Sequence, residues 1–109
     1  MTTALENLPE VRSYALAASK AGVVRINGGL YLSLPEGVST VSVTGHATDV
    51  TVYLCTSMST SARYATRAAT GGQSLVLSGV SVPRGESRFL QVVASSPGDV
   101  GVTIITYPL

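Results

Sequence analysis

Few residues in this chain have chemistry to offer, and they are dispersed. His46 is its one histidine, three residues before Asp49 in the polar stretch Gly45-His46-Ala47-Thr48-Asp49. Serines are abundant, so a Ser-His-Asp set can be assembled on paper. No Gly-x-Ser-x-Gly elbow is present to hold a nucleophile on a strained turn. The plain reading is a solvated turn histidine, suited at most to a pH-sensitive contact. Cys55 is the single cysteine, which rules out an intrachain disulfide or a multi-cysteine zinc site. It closes a strand on the face away from Val50, Val52 and Leu54. A structural thiol is expected there rather than a nucleophile, which would need a base or a helix terminus beside it.

The six acids are scattered, with no pair spaced for acid–base work. Asp49 and Asp99 each open a strand after a turn, where an Asx side chain accepts turn N–H groups. Convergent oxygens for calcium cannot be identified. Gly28-Gly29 and Gly71-Gly72 lack the lysine or helix of a phosphate loop. Arg63, Arg67, Arg84 and Arg88 make the only basic cluster. Their planar forks suit carboxylates on a neighbouring subunit, with an ordinary solvated face as the alternative. Nucleic acid would ask for interleaved aromatic platforms, and only Tyr64 and Phe89 are near. These residues predict a protein without catalysis, metal or cofactor.

Composition narrows the class further. A chain of 109 residues is one domain with one modest core. Hydrophobic residues make up 45% and charged residues 12%, about half the usual share of charge. That is too apolar for disorder, and no run approaches the ~20 apolar residues of a membrane helix. So little charge predicts a surface covered in part by other copies or other proteins, against the alternative of a wet, neutral Ser/Thr surface. The net charge of +1 gives no electrostatic case for nucleic acid or membrane headgroups. The opening MTTALENLPEVRS has no basic segment followed by an apolar core, so no signal peptide is expected.

The elements that must position these residues are strands. From Leu30 to Leu54 apolar and small polar residues alternate, interrupted at Pro35-Glu36-Gly37 and again at Gly45–Asp49. Period-two alternation reads as strands and the Pro/Gly interruptions as turns, giving a three-stranded meander. Leu30, Leu32, Leu34, Val41, Val43, Val50, Val52 and Leu54 are the core face. Asn27-Gly28-Gly29 is a tight-turn signal ahead of it. Residues 1–20 are expected to be an arm or short helix, with Leu5 and Leu8 as its apolar contacts, and 21–109 the β domain. Ser13 to Ser19 reads equally as helix or strand. Between Thr56 and Gly72 alternation disappears, which predicts a long contact loop carrying Arg63, Tyr64 and Arg67, with a short helix near Ala62–Ala69 as an option. Strands return at Ser74–Leu77, at Val80–Val82 after a turn at Ser78-Gly79, and, after the Pro83-Arg84-Gly85 turn, at Ser87–Ala94 and Asp99–Tyr107.

The two halves echo one another. Pro35, Gly37 and Asp49-Val50 correspond to Pro83, Gly85 and Asp99-Val100, at nearly equal spacing. Two units that each bury one face stack into an antiparallel two-sheet β-sandwich, jelly-roll-like, of about seven or eight strands. The late strands carry an excess. Phe89 and Val93 lie opposite Leu90 and Val92, and Ile105 and Tyr107 lie opposite Val102 and Ile104. Strands apolar on both faces are normally covered on both. Phe89, Val93, Ile105 and Tyr107, with Tyr53, are therefore the expected oligomer interface.

Leu34-Pro35-Glu36-Gly37, Val50-Thr51-Val52-Tyr53-Leu54, Val82-Pro83-Arg84-Gly85 and Val100–Ile104, in that order, resemble the small β-sandwich virion proteins of tailed bacteriophages and phage-like particles. The resemblance covers roughly residues 22–107. It implies a non-enzymatic structural component of the virion, assembled in the bacterial cytoplasm. That component would be a symmetric oligomer that decorates a capsid or anchors a head spike or fibre, or a tail accessory ring. Its partners would be copies of itself and other virion proteins such as the capsid protein. The competing expectation is a carbohydrate-binding module presenting Tyr31, Tyr53 and Tyr64, although the chain has no tryptophan and only 6% aromatic residues.

Overall fold

The computed structural model describes residues 8–108. Within them lie nine strands: β1 (Glu10–Ala18), β2 (Gly22–Val23), β3 (Leu32–Ser33), β4 (Gly37–His46), β5 (Val50–Cys55), β6 (Arg63–Ala69), β7 (Ser74–Val82), β8 (Phe89–Ala94) and β9 (Gly98–Tyr107). One 3-10 turn, Thr60–Ala62, precedes β6. Every pairing is antiparallel. One sheet has the order β1-β9-β4-β7. The other has the order β2-β8-β5-β6, with β3 sharing the β2 side of β8. The protein is a two-sheet antiparallel β-sandwich, as the alternation predicts.

The core follows from strand periodicity. Val41 and Val43 on β4, Val100, Val102 and Ile104 on β9, and Leu75, Leu77, Val80 and Val82 on β7 point inward from the β4 sheet. Val50, Val52, Leu54, Leu90, Val92 and Ala94 meet them from the β8 sheet. β-Branched valine dominates because its stiff side chain suits a pleated surface. Where the inward row reaches Ser39 and Thr106, the two buried hydroxyls bond each other at 2.8 Å, so neither is stranded in the core.

β4, β5, β8 and β9 lie where alternation puts them, but their pairing differs from the expected meander. β4 belongs to one sheet and β5 to the other, so Gly45–Asp49 is a corner between sheets and not a hairpin turn. β3 also pairs with β8 rather than β4. The second half crosses in the opposite sense: β7 and β9 lie in the β4 sheet, with β8 in the other. The halves therefore interlock. β4 sits between β7 and β9, and β8 between β3 and β5. The sequence echo marks two units that share both sheets instead of owning one each.

Two corners lie side by side and hold each other. Thr48 Oγ1 donates to the Ser96 carbonyl at 2.8 Å and accepts from the Ser96 N–H at 3.1 Å. The Ser95 N–H donates to the Asp49 carbonyl at 3.0 Å, and the Asp49 N–H to Ser95 Oγ at 3.2 Å. Gly45 and Gly98 are required by proximity: a Cβ on Gly45 would lie 2.3 Å from the Thr48 carbonyl oxygen, and one on Gly98 2.7 Å from that of His46. At the other end Gly85 N–H donates to Glu36 Oε2 at 2.9 Å, joining the two Pro-x-Gly turns.

Three further expectations are corrected. Residues 10–18, placed in an arm or short helix, are a strand on the edge of the β4 sheet, paired with β9 from Glu10–Thr106 to Ala18–Gly98. Leu5 lies outside the described residues; Leu8 is exposed ahead of β1. The expected contact loop is for the most part the edge strand β6, hydrogen-bonded to β5. Ser78-Gly79 is no turn but a bulge inside β7, where the β4 register shifts between Ser39 and Val41 and Gly79 takes φ +69°. The Asn27-Gly28 turn is as predicted, with positive φ at both residues closing the Ile26–Gly29 bridge.

Candidate functional site

The five expected interface residues all face away from the core, but they do so on opposite sides of the molecule. Phe89, Val93 and Tyr53 lie on the outer face of the β8 sheet, each half-buried. Ile105 and Tyr107 lie on the outer face of the β4 sheet, Ile105 half-buried and Tyr107 exposed. They make two patches and not one.

On the β4 sheet, cross-strand register gathers residues that alternation alone did not single out. Ile105 stands between Val11 on β1 and Thr40 on β4. Tyr107 stands beside Val38, which is itself opposite Ser81. Directly opposed side chains on one face are ~5 Å apart at Cβ and touch. Val11, Val38 and Tyr107 are 60%, 44% and 56% exposed, so with Ile105 they form a continuous apolar patch open to water. Farther along this face the strands turn small and polar: Ser13, Thr103 and Ser42 in one row, then Ala15, Gly101 and Thr44. A shallow cleft of about 600 Å³ follows these small residues along β1 and β9 and ends at His46 and Asp99.

That cleft does not assemble a catalytic triad. Asp99 is opposite His46, but Ser13 pairs with Thr103, four residues along β9 and so ~13 Å away. Asp49, the carboxylate nearest His46 in sequence, instead accepts the Gly71 N–H at 2.8 Å. Among the described residues no group of three His, Cys, Asp or Glu side chains could hold a metal ion.

The arginine cluster divides. Arg63 lies on the outer face of β6 with its guanidinium 3.6 Å from the Tyr53 ring centroid, and it donates to Gln91 Oε1 at 2.8 Å. Gln91 is thereby buried although its strand position faces outward. Tyr64 is the extra residue of a bulge, where the β5–β6 register steps from Leu54–Ala65 to Cys55–Arg63. The Arg88 guanidinium lies 5.9 Å from the Tyr64 ring centroid and bonds Glu86 at 2.9 Å. Arg67 is opposite Val52, on the other face of β6 from Arg63. Tyr64, Arg67 and Arg88 rim a groove of about 330 Å³ between β6 and β7, floored by Leu54, Leu77 and Val80.

Cys55 has Arg63 on one side and Phe89 on the other, and it is fully buried. Burial pushes its thiol up, and the neighbouring Arg63 charge offsets part of that rise. Set against known protein families, curated proteins and solved structures, the chain finds no match.

Proposed function

We propose that this protein is a non-enzymatic structural subunit that associates with copies of itself, as a decorating or anchoring component of a phage or phage-like particle. The reading rests on one observation, the Val11–Ile105–Val38–Tyr107 patch on the outer face of the β4 sheet. A lone sandwich leaves this patch in water, and the chain has few charges to compensate, so a protein partner is the ordinary explanation. The particle setting comes from the resemblance of the turn and strand motifs to small virion sandwiches. The partners in that setting are further copies, a capsid protein and a spike or fibre.

The carbohydrate-binding alternative loses its central platform. The face of Tyr53 is occupied by the Arg63 guanidinium, so a sugar would have to displace a cation that also satisfies a buried amide.

Sedimentation of the purified protein at micromolar concentration, together with an Ile105→Lys, Tyr107→Ser variant, tests the proposal. The wild type should sediment as an oligomer and the variant as a folded monomer. Co-sedimentation with particles from the same source then tests the setting. A wild type that stays monomeric at tens of micromolar and does not bind particles overturns it.

A further inference from the structure

The edges of the two sheets are not alike. β7 is interrupted by the Ser78-Gly79 bulge, β6 carries the Tyr64 bulge, and β2 and β3 have two residues each. Bulges and shortness are the usual means of keeping an edge from pairing with another chain. β1 has none of these. Its nine residues pair with β9 in unbroken register; Pro9 directly precedes it, and the charges along it, Glu10 and Arg12, are opposite in sign and so can be matched by a second copy. Among the described residues, its other side has no strand beside it.

The inward side of β1 also overhangs the other sheet. Glu10, Arg12, Tyr14 and Leu16 stand opposite Thr106, Ile104, Val102 and Val100, on the core side of the sheet. The β9 partners are buried, whereas Glu10 and Arg12 are exposed and Tyr14 and Leu16 only half-buried. The β8 sheet therefore stops short of this strand and leaves room for a neighbour.

We propose that β1 is a self-recognition edge. Two copies pair their Leu8–Tyr14 stretches antiparallel about a two-fold axis at Val11, with Pro9 opposite Ser13, joining two four-stranded sheets into one sheet of eight. This register is chosen by charge. Glu10 and Arg12, which bond each other at 2.7 Å within one copy, then lie opposite Arg12 and Glu10 of the second copy, as a group of four alternating charges. The same register sets Leu8, 58% exposed, opposite Tyr14 of the second copy, and places Val11 against Val11. Val11 already adjoins Ile105, so the apolar patch becomes continuous across the axis.

The inference rests on the self-association reading and specifies its geometry. Two variants separate them. Val11→Cys places two thiols across the axis, where opposed Cα atoms ~4.5–5.5 Å apart allow a disulfide. Mild oxidation should convert this variant to covalent dimer. Val76→Cys, equally open to solvent on the far edge strand, should stay uncrosslinked, and the buried Cys55 does not react. Arg12→Glu puts like charges opposite each other twice and should weaken the dimer about tenfold, with the fold retained by circular dichroism. Adding Glu10→Arg should restore the affinity. An oligomer that neither crosslinks through residue 11 nor responds to Arg12→Glu overturns the edge pairing and leaves self-association standing. A wild-type monomer at tens of micromolar overturns both.

Discussion

Gln91 is a buried amide at an outward-facing strand position, and Arg63 is what makes that position tenable. The guanidinium covers the amide, bonds its Oε1 and rests on Tyr53, so three side chains hold one another in place. Arg63→Met keeps much of the apolar stem but strands the acceptor, at a cost of about 1–3 kcal/mol. Urea unfolding should show that loss, whereas Arg67→Met, whose guanidinium bonds only the carbonyl of adjacent Thr66, should change stability by less than about 0.5 kcal/mol. Cys55 beneath the same group gives stability a pH dependence. Its thiol ionises less readily in the fold than in the unfolded chain, chiefly through burial. Its contribution is complete below the ordinary thiol value of 9.0 and declines as pH rises past it, because the unfolded state releases the proton first. Melting points taken from pH 7 to 10 should fall more steeply for the wild type than for Cys55→Ser, and parallel curves would contradict this.

At the level of elements, the corners decide the topology. Gly45→Ala drives a methyl to within 2.3 Å of the Thr48 carbonyl, which is backbone and cannot swing aside. The corner must open and release the Thr48–Ser96 bonds, a loss of about 2–4 kcal/mol. Gly101→Ala is the contrasting case, with nothing within 4 Å of the added carbon. It should be neutral or stabilise by up to about 1 kcal/mol, since it removes freedom from the unfolded chain. Thermal melts of the two variants check both signs. The same corners explain what the sequence could and could not convey. Alternation located β4, β5, β8 and β9 almost to the residue, because a one-residue slip would turn Val41 or Val102 to water. It carried no information on sheet membership: the short link Ala47-Thr48-Asp49 between β4 and β5 suits a hairpin or a corner equally, and the distinction lies in long-range contacts such as Thr48–Ser96. β6 was illegible because its inward positions are Ala65, Arg67 and Ala69, too small or too polar to register as a core face. β1 was ambiguous for a related reason, with Ala15, Ala17 and Ala18 blurring the Tyr14–Leu16 alternation. The β4-sheet patch was half visible. Ile105 and Tyr107 could be named from one strand, but Val11 and Val38 join them only through register.

For the molecule as a whole, interlocking has a consequence for folding. If each half formed its own sheet, either half could fold first and present a surface to the other. Here β4 has both neighbours, β7 and β9, in the second half, and β8 has β3 and β5 in the first. Residues 1–72 alone would leave β4 with no partner on either side. Residues 73–109 alone would leave β8 in the same condition, and β9 would lack β1 and β4. Isolated strands without ladder partners do not repay the entropy of ordering them. Each fragment, prepared separately, should therefore give a circular dichroism spectrum of unfolded chain with no cooperative melt. Mixed in equal amounts, they should recover β structure and one concentration-dependent transition. The break at Gly72-Gln73 falls in an exposed turn, so it costs the complex little beyond the entropy of association. The intact chain should unfold in a single transition and refold in milliseconds to seconds, because nearly every ladder joins strands distant in sequence. A first-half fragment that melts cooperatively alone would mean that β5 and β6 suffice as a nucleus, and that the two units are joined by packing rather than by shared sheets.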